Sequence, residues 1–148
     1  MATWGYLLFA VAAGAMLPIQ FGINAQLARW LESPLRAALV SFAVGTLGLL
    51  AVTLPLLHGW PPVSRLADAP WWLWVGGLMG AFYVIGSIVA APRLGAVTLV
   101  ALILGGQAIA SLVVDHFGWV GFAEHPISPG RLLGVALVAA GVALVRIF

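Results

Sequence analysis

The sequence predicts an all-α membrane protein with five transmembrane helices. Three observations carry this prediction. Of 148 residues, 64% are hydrophobic and only 7% are charged, whereas a soluble domain carries about 25% charged residues. The apolar residues fall into five long runs, and the charges and prolines collect between them. All seven tryptophans lie at or beyond the ends of those runs, where an amphipathic ring meets the headgroups.

A helix needs roughly 20 apolar residues to cross the hydrocarbon core. The five runs that qualify are residues 3–28, 34–57, 71–91, 95–114 and 130–147. They do not alternate as barrel strands do, so helices are the way to satisfy their backbone groups in lipid. The first run lacks a basic leading segment and is longer than the core of a signal peptide, so it is expected to be a permanent span. Arg29-Trp30-Leu31-Glu32-Ser33-Pro34 ends it. His58 through Pro62, and on to Asp68-Ala69-Pro70, separates the second run from the third. A tight Pro92-Arg93-Leu94-Gly95 break and a longer Asp115–Pro129 stretch follow. The length fits one transmembrane domain, 1–148.

Composition also excludes several classes. With no cysteine there is no disulfide, thiolate metal site or cysteine nucleophile. The six basic residues, all arginines, are scattered rather than clustered, so the pI near 10 is no nucleic-acid footprint. Glu124 and His125 do not match metal-ligand spacing, and no metal or cofactor is expected. Asp115 and His116 point about 100° apart on a helix and have no nucleophile with them. An enzyme is not expected.

Five spans put the termini on opposite sides. Arg29, Arg36, Arg93 and Arg146 then share one side, and Arg65 and Arg131 the other. A bias of four against two weakly favours an inward C-terminus. So small a bias also suits insertion both ways, giving an antiparallel homodimer. A pathway with two gates needs a second copy of a chain this short.

Polar residues within lipid mark candidate sites. No Asp, Glu, Lys or Arg falls in the middle of a span. Gln20 and Asn24 share a face of the first helix. Pro18 precedes them and leaves the Gly14 carbonyl without its helical donor, so Gly14 and Pro18 form a candidate hinge. The amides either line a cavity or bond to neighbouring helices. In the fourth span Gln107, Ser111 and Asp115 form one stripe ending at the interface. Asp115 is either a carboxylate paired with an arginine or a proton-sensitive gate. Ser41 in the second span and Tyr83 in the third complete the candidate substrate-binding set. Gly45, Gly48, Gly76, Gly80, Gly130, Gly134 and Gly141 are spaced for close helix packing.

Several pieces occur together in order: Gln20-x3-Asn24, Ser41-Phe42-x2-Gly45-Thr46, Gly76-Gly77-x2-Gly80-Ala81-x-Tyr83, Pro92-x-Leu94-Gly95-Ala96, Gly106-Gln107, Asp115-His116-Phe117-Gly118 and Ile127-Ser128-Pro129-x-Arg131-x2-Gly134. This set resembles the YdcZ family of five-helix proteins in the drug/metabolite transporter superfamily. The resemblance implies a fold like one half of a ten-helix drug/metabolite transporter, in the bacterial inner membrane. It gives a class of transporter rather than a ligand. The related small multidrug resistance proteins carry a glutamate in their first helix, and this chain has no acid before Glu32. The expected function is therefore transport, in the export direction, of a small metabolite held by neutral amides. The alternative is a non-transporting membrane scaffold, which would purify in a stable complex with a different protein.

Overall fold

The computed structural model describes residues 2–57, 59 and 62–148. Among the described residues the helical sequence pattern becomes six α-helices: α1 (Ala2–Trp30), α2 (Pro34–Leu56), α3 (Val63–Ala67), α4 (Val75–Leu94), α5 (Ala96–Phe117) and α6 (Pro129–Ile147). A 3-10 turn, Trp71–Trp74, leads into α4, and another, Trp119–Gly121, follows α5. Five segments are long and apolar enough to cross a membrane: Thr3–Trp30, Pro34–Leu56, Trp71–Leu94, Ala96–Phe117 and Pro129–Ile147. Trp4 and Trp30 sit at the two ends of α1, and Trp71, Trp72, Trp74 and Trp119 lie in the 3-10 turns. His58, Trp60 and Pro61 lie outside the described residues.

The helix starts follow local chemistry. Ser33 caps α2: its Oγ accepts from the Arg36 N–H at 3.3 Å, and Pro34 occupies the first turn, where no donor is missed. Ser128 and Pro129 repeat the arrangement on α6, with the Arg131 N–H donating to Ser128 Oγ at 3.3 Å. Gly118, at φ 60 and ψ 31, closes α5 in the left-handed conformation that glycine adopts without strain.

Two expected boundaries shift. The break at Pro92–Gly95 shrinks to Gly95 alone, because α4 runs through Pro92 to Leu94. A proline in the last turn costs one backbone bond without ending the helix, and Gly95, at φ 75 and ψ 164, makes the turn. α5 continues past residue 114 to Phe117, since nothing before Gly118 breaks it. The linker read as one break also contains the short α3.

The chain divides into two compact units, one made of the residues up to Pro18 with Leu94–Phe148, the other of Ile19–Arg93. The Ile19–Arg93 unit has a small core. Ala37 and Ala38 of α2 meet Val84 and Ile88 of α4, with Leu27 and Ala28 of α1 packed against them. The α2 residues of this core are alanines, small side chains of the kind that let helices pack closely in lipid. In the other unit α5 and α6 pack side by side, and Val142 comes close enough that a Cβ on Gly105 would meet it at 3.3 Å.

Most large apolar side chains stay exposed, including Leu47 on α2, Phe82 on α4 and Leu137 on α6. In lipid nothing drives them inward, because acyl chains are as apolar as leucine. The packing glycines divide accordingly. Gly80 faces the Phe42 ring, whereas positions such as Gly45, Gly76 and Gly141 have no heavy atom within 4 Å of a would-be Cβ. Among the glycines spaced for packing, Gly80 makes such a contact and the rest stay open, while Gly105, outside that set, makes another.

Candidate functional site

The first helix runs unbroken through Pro18. The missing Pro18 N–H leaves the Gly14 carbonyl without its helical donor at the point where the two units divide. Two and six residues onward the helix carries Gln20 and Asn24.

In the Ile19–Arg93 unit, Gln20 and Ser41 come together on a groove of about 240 Å³, with Phe42, Gly45, Thr46, Leu49 and Val84 completing its wall. Three polar side chains on an apolar wall match the usual make-up of a small-molecule site. Asn24, on the Gln20 face of α1, is buried, and its Nδ2 has no hydrogen-bond partner. Tyr83, next to the groove residue Val84, has a buried hydroxyl with no partner either. The Phe21 and Tyr83 rings meet edge to face with centroids 6.0 Å apart, which fixes the phenol. Ser87, by contrast, is satisfied, donating to the Val84 carbonyl at 2.8 Å.

Thr46 and Phe42 were not among the residues singled out for the site. Their signal is the spacing 42, 46, 49, which puts them on one face of α2 beside the Ser41–Gly45 stripe.

The other unit holds a second groove, of about 380 Å³, between α5 and α6. Ser111 and Asp115 line it from α5, and Arg131, Gly134, Val135 and Val138 from α6. Gln107 is exposed on α5, one turn before Ser111. Arg131 Nη2 donates to Asp115 Oδ2 at 2.5 Å, and Nη1 donates to the His125 carbonyl at 2.8 Å. The His125 N–H returns to the Asp115 carbonyl at 2.7 Å, and the Ile127 N–H donates to His116 Nδ1 at 3.2 Å. Of the two roles weighed for Asp115, pairing with an arginine is the one this geometry displays. Among the described residues no cluster of His, Asp and Glu could hold a metal ion.

Five apolar spans, with polar side chains gathered in grooves, define a polytopic membrane protein. The profile of the family described as "Putative inner membrane exporter, YdcZ" matches residues 5–144, and the chain belongs to that family. It is 29% identical over 140 residues to the inner membrane protein YdcZ of Escherichia coli (strain K12), covering 94% of this chain and 93% of the relative. No solved structure matches the chain. Family and spans together make it a multi-pass inner membrane protein, and the family's description is that of an exporter.

Proposed function

We propose that the protein exports a small neutral or zwitterionic solute by alternating access. The observation that carries the reading is the pair of buried polar atoms without partners, Asn24 Nδ2 and Tyr83 Oη, in the same unit as a groove lined by Gln20, Ser41 and Thr46. Leaving a buried donor unmade costs about 1–3 kcal/mol. A site that must hydrogen-bond a passing solute holds such donors in reserve. With no acid or base in mid-span, the substrate contact is made by amides and hydroxyls rather than by an ion pair. Gln107 and Ser111 of α5 offer polar contacts of the same neutral kind.

The five spans act as one transmembrane domain, and two copies assemble antiparallel. Gly14 and Pro18 form the hinge, which is supported by the unit boundary at Pro18. Asp115 serves as the gate on the α5–α6 side, opening when its pairing with Arg131 is released.

The experiment is solute flux in proteoliposomes, with solutes chosen by a thermal-shift screen of the purified protein. Asn24→Ala and Gln107→Ala should each abolish flux while the dimer persists. Full flux in both variants overturns the site assignment. Reporter fusions at the C-terminus test the antiparallel assembly: activity from both a periplasmic and a cytoplasmic reporter is expected, and activity from only one counts against it.

A further inference from the structure

We infer that the cleft at the α1 and α4 C-termini binds the phosphate group of an anionic phospholipid. Arg29, in the last turn of α1, and Arg93, in the last turn of α4, line the same cleft of about 310 Å³. Glu32 lines it too, and no ion pair joins it to either arginine; among the described residues the ion pair is Arg131 with Asp115. Counted by side chains alone, two guanidiniums stand against one carboxylate, and the helix C-termini offset part of the excess positive charge.

Both arginines sit at helix C-termini, where the backbone dipoles favour a cation and hold the charge at that end without a carboxylate. Guanidinium presents paired donors that match phosphate oxygens. The neighbouring Arg36 is engaged differently, donating from Nη1 to the Leu31 carbonyl at 3.2 Å. It therefore adds charge to this end without filling the cleft.

The rest of the cleft selects a lipid over a dissolved anion. One turn deeper than each arginine lie Ala25 and Val89, and Ile88 joins them on the wall. The cleft is thus charged at the membrane boundary and apolar about one helical pitch, roughly 5 Å, further in. A lipid phosphate already resides at that boundary depth, with its glycerol and acyl chains pointing along the apolar wall. Trp30, next to Arg29 and 86% exposed, marks the headgroup level. Arg29, Arg36 and Arg93 gather positive charge at this end, and in a copy that turns it to the cytoplasm it meets the leaflet whose surface is negative.

The test uses the full chain in neutral detergent, with thermal unfolding followed as phosphatidylglycerol, phosphatidylcholine or inorganic phosphate is added. Phosphatidylglycerol should raise the midpoint, and the other two should not. The Arg29→Gln/Arg93→Gln double variant should need at least about tenfold more phosphatidylglycerol for the same shift. Arg65→Gln should leave it unchanged. Glu32→Gln removes the opposing charge and should lower the concentration required, an arm that does not depend on the double variant folding. Equal shifts from phosphatidylglycerol and phosphatidylcholine, or a full shift retained by the double variant, overturn the proposal. A full shift from inorganic phosphate alone overturns the lipid assignment in favour of a soluble-anion site.

Discussion

Arg131 reaches back across the α5–α6 connection to Asp115, so that the first turn of α6 is tied to the last turn of α5 by an ion pair of 2.5 Å. The pair does not stand alone. Arg131 also holds the His125 carbonyl, and His125 in turn donates to the Asp115 backbone. Three residues thus form a closed circuit that pins the residues between the helices onto the end of α5.

Asp115→Asn should loosen that circuit without unfolding the helices. The two side chains are 36% and 25% exposed, so water and salt screen them and the loss should be at most about 1 kcal/mol. The informative readout is local. Amide exchange at His125 and Ile127 should accelerate in the variant while the amides of mid-α5 keep their protection. In high salt the wild-type protein should approach the variant. Unchanged exchange at both amides would show that the backbone bonds alone hold the connection.

Asn24→Leu should raise stability and abolish transport together. The amide is buried and its Nδ2 is unpartnered, so an apolar side chain of similar size removes a cost of about 1–3 kcal/mol. Tyr83→Phe should follow the same pattern more weakly, since it deletes one unpartnered hydroxyl and keeps the ring against Phe21. Thermal unfolding and flux measured on the same preparations check this. A large fall in the unfolding midpoint of Asn24→Leu would mean that the amide holds the helices together.

Much of this was legible in the sequence. Span number follows from charge and apolar length, and the caps Ser33 and Ser128 stand before Pro34 and Pro129 where such starts are expected. Gln20 and Ser41 were recognisable because a polar side chain in an apolar run is conspicuous. Their meeting in one groove was not, since helix spacing fixes a face and says nothing of which helix it meets. Thr46 was legible as part of the family pattern but not as a site residue, because a lone threonine can bond its own helix and so carries little signal. Pro92 misled for the opposite reason. It reads as a helix stop, yet in the last turn it forfeits one backbone bond and leaves little helix beyond it to disrupt.

Gly95→Ala should destabilise the protein by about 1–3 kcal/mol, because φ 75 with ψ 164 is open to glycine and strained for any residue with a Cβ. No atom lies within 4 Å of the added methyl, so the loss would come from backbone strain alone. Gly76→Ala makes the control: it too meets no neighbour but sits within α4, where alanine is the better helix former. Unfolding of the two variants side by side should show a loss for the first and none for the second. Equal midpoints would mean that the turn between α4 and α5 relaxes freely.

Cross-linking distinguishes the antiparallel pairing from a parallel one. The sequence contains no cysteine, so a single introduced thiol can bond only to its counterpart in a second copy. α6 has no buried residue, and its exposed side chains include Leu137 near the middle and Ile147 at the end. If α6 packs on α6 about a twofold axis in the membrane plane, helix midpoints meet and ends are separated by the helix length. Leu137→Cys should then form a disulfide-linked dimer on mild oxidation, and Ile147→Cys should not, since the bond needs Cα atoms within about 7 Å. A parallel pairing would bond both. Cross-linking of Ile147→Cys with yields matching Leu137→Cys would therefore exclude the antiparallel arrangement through this helix.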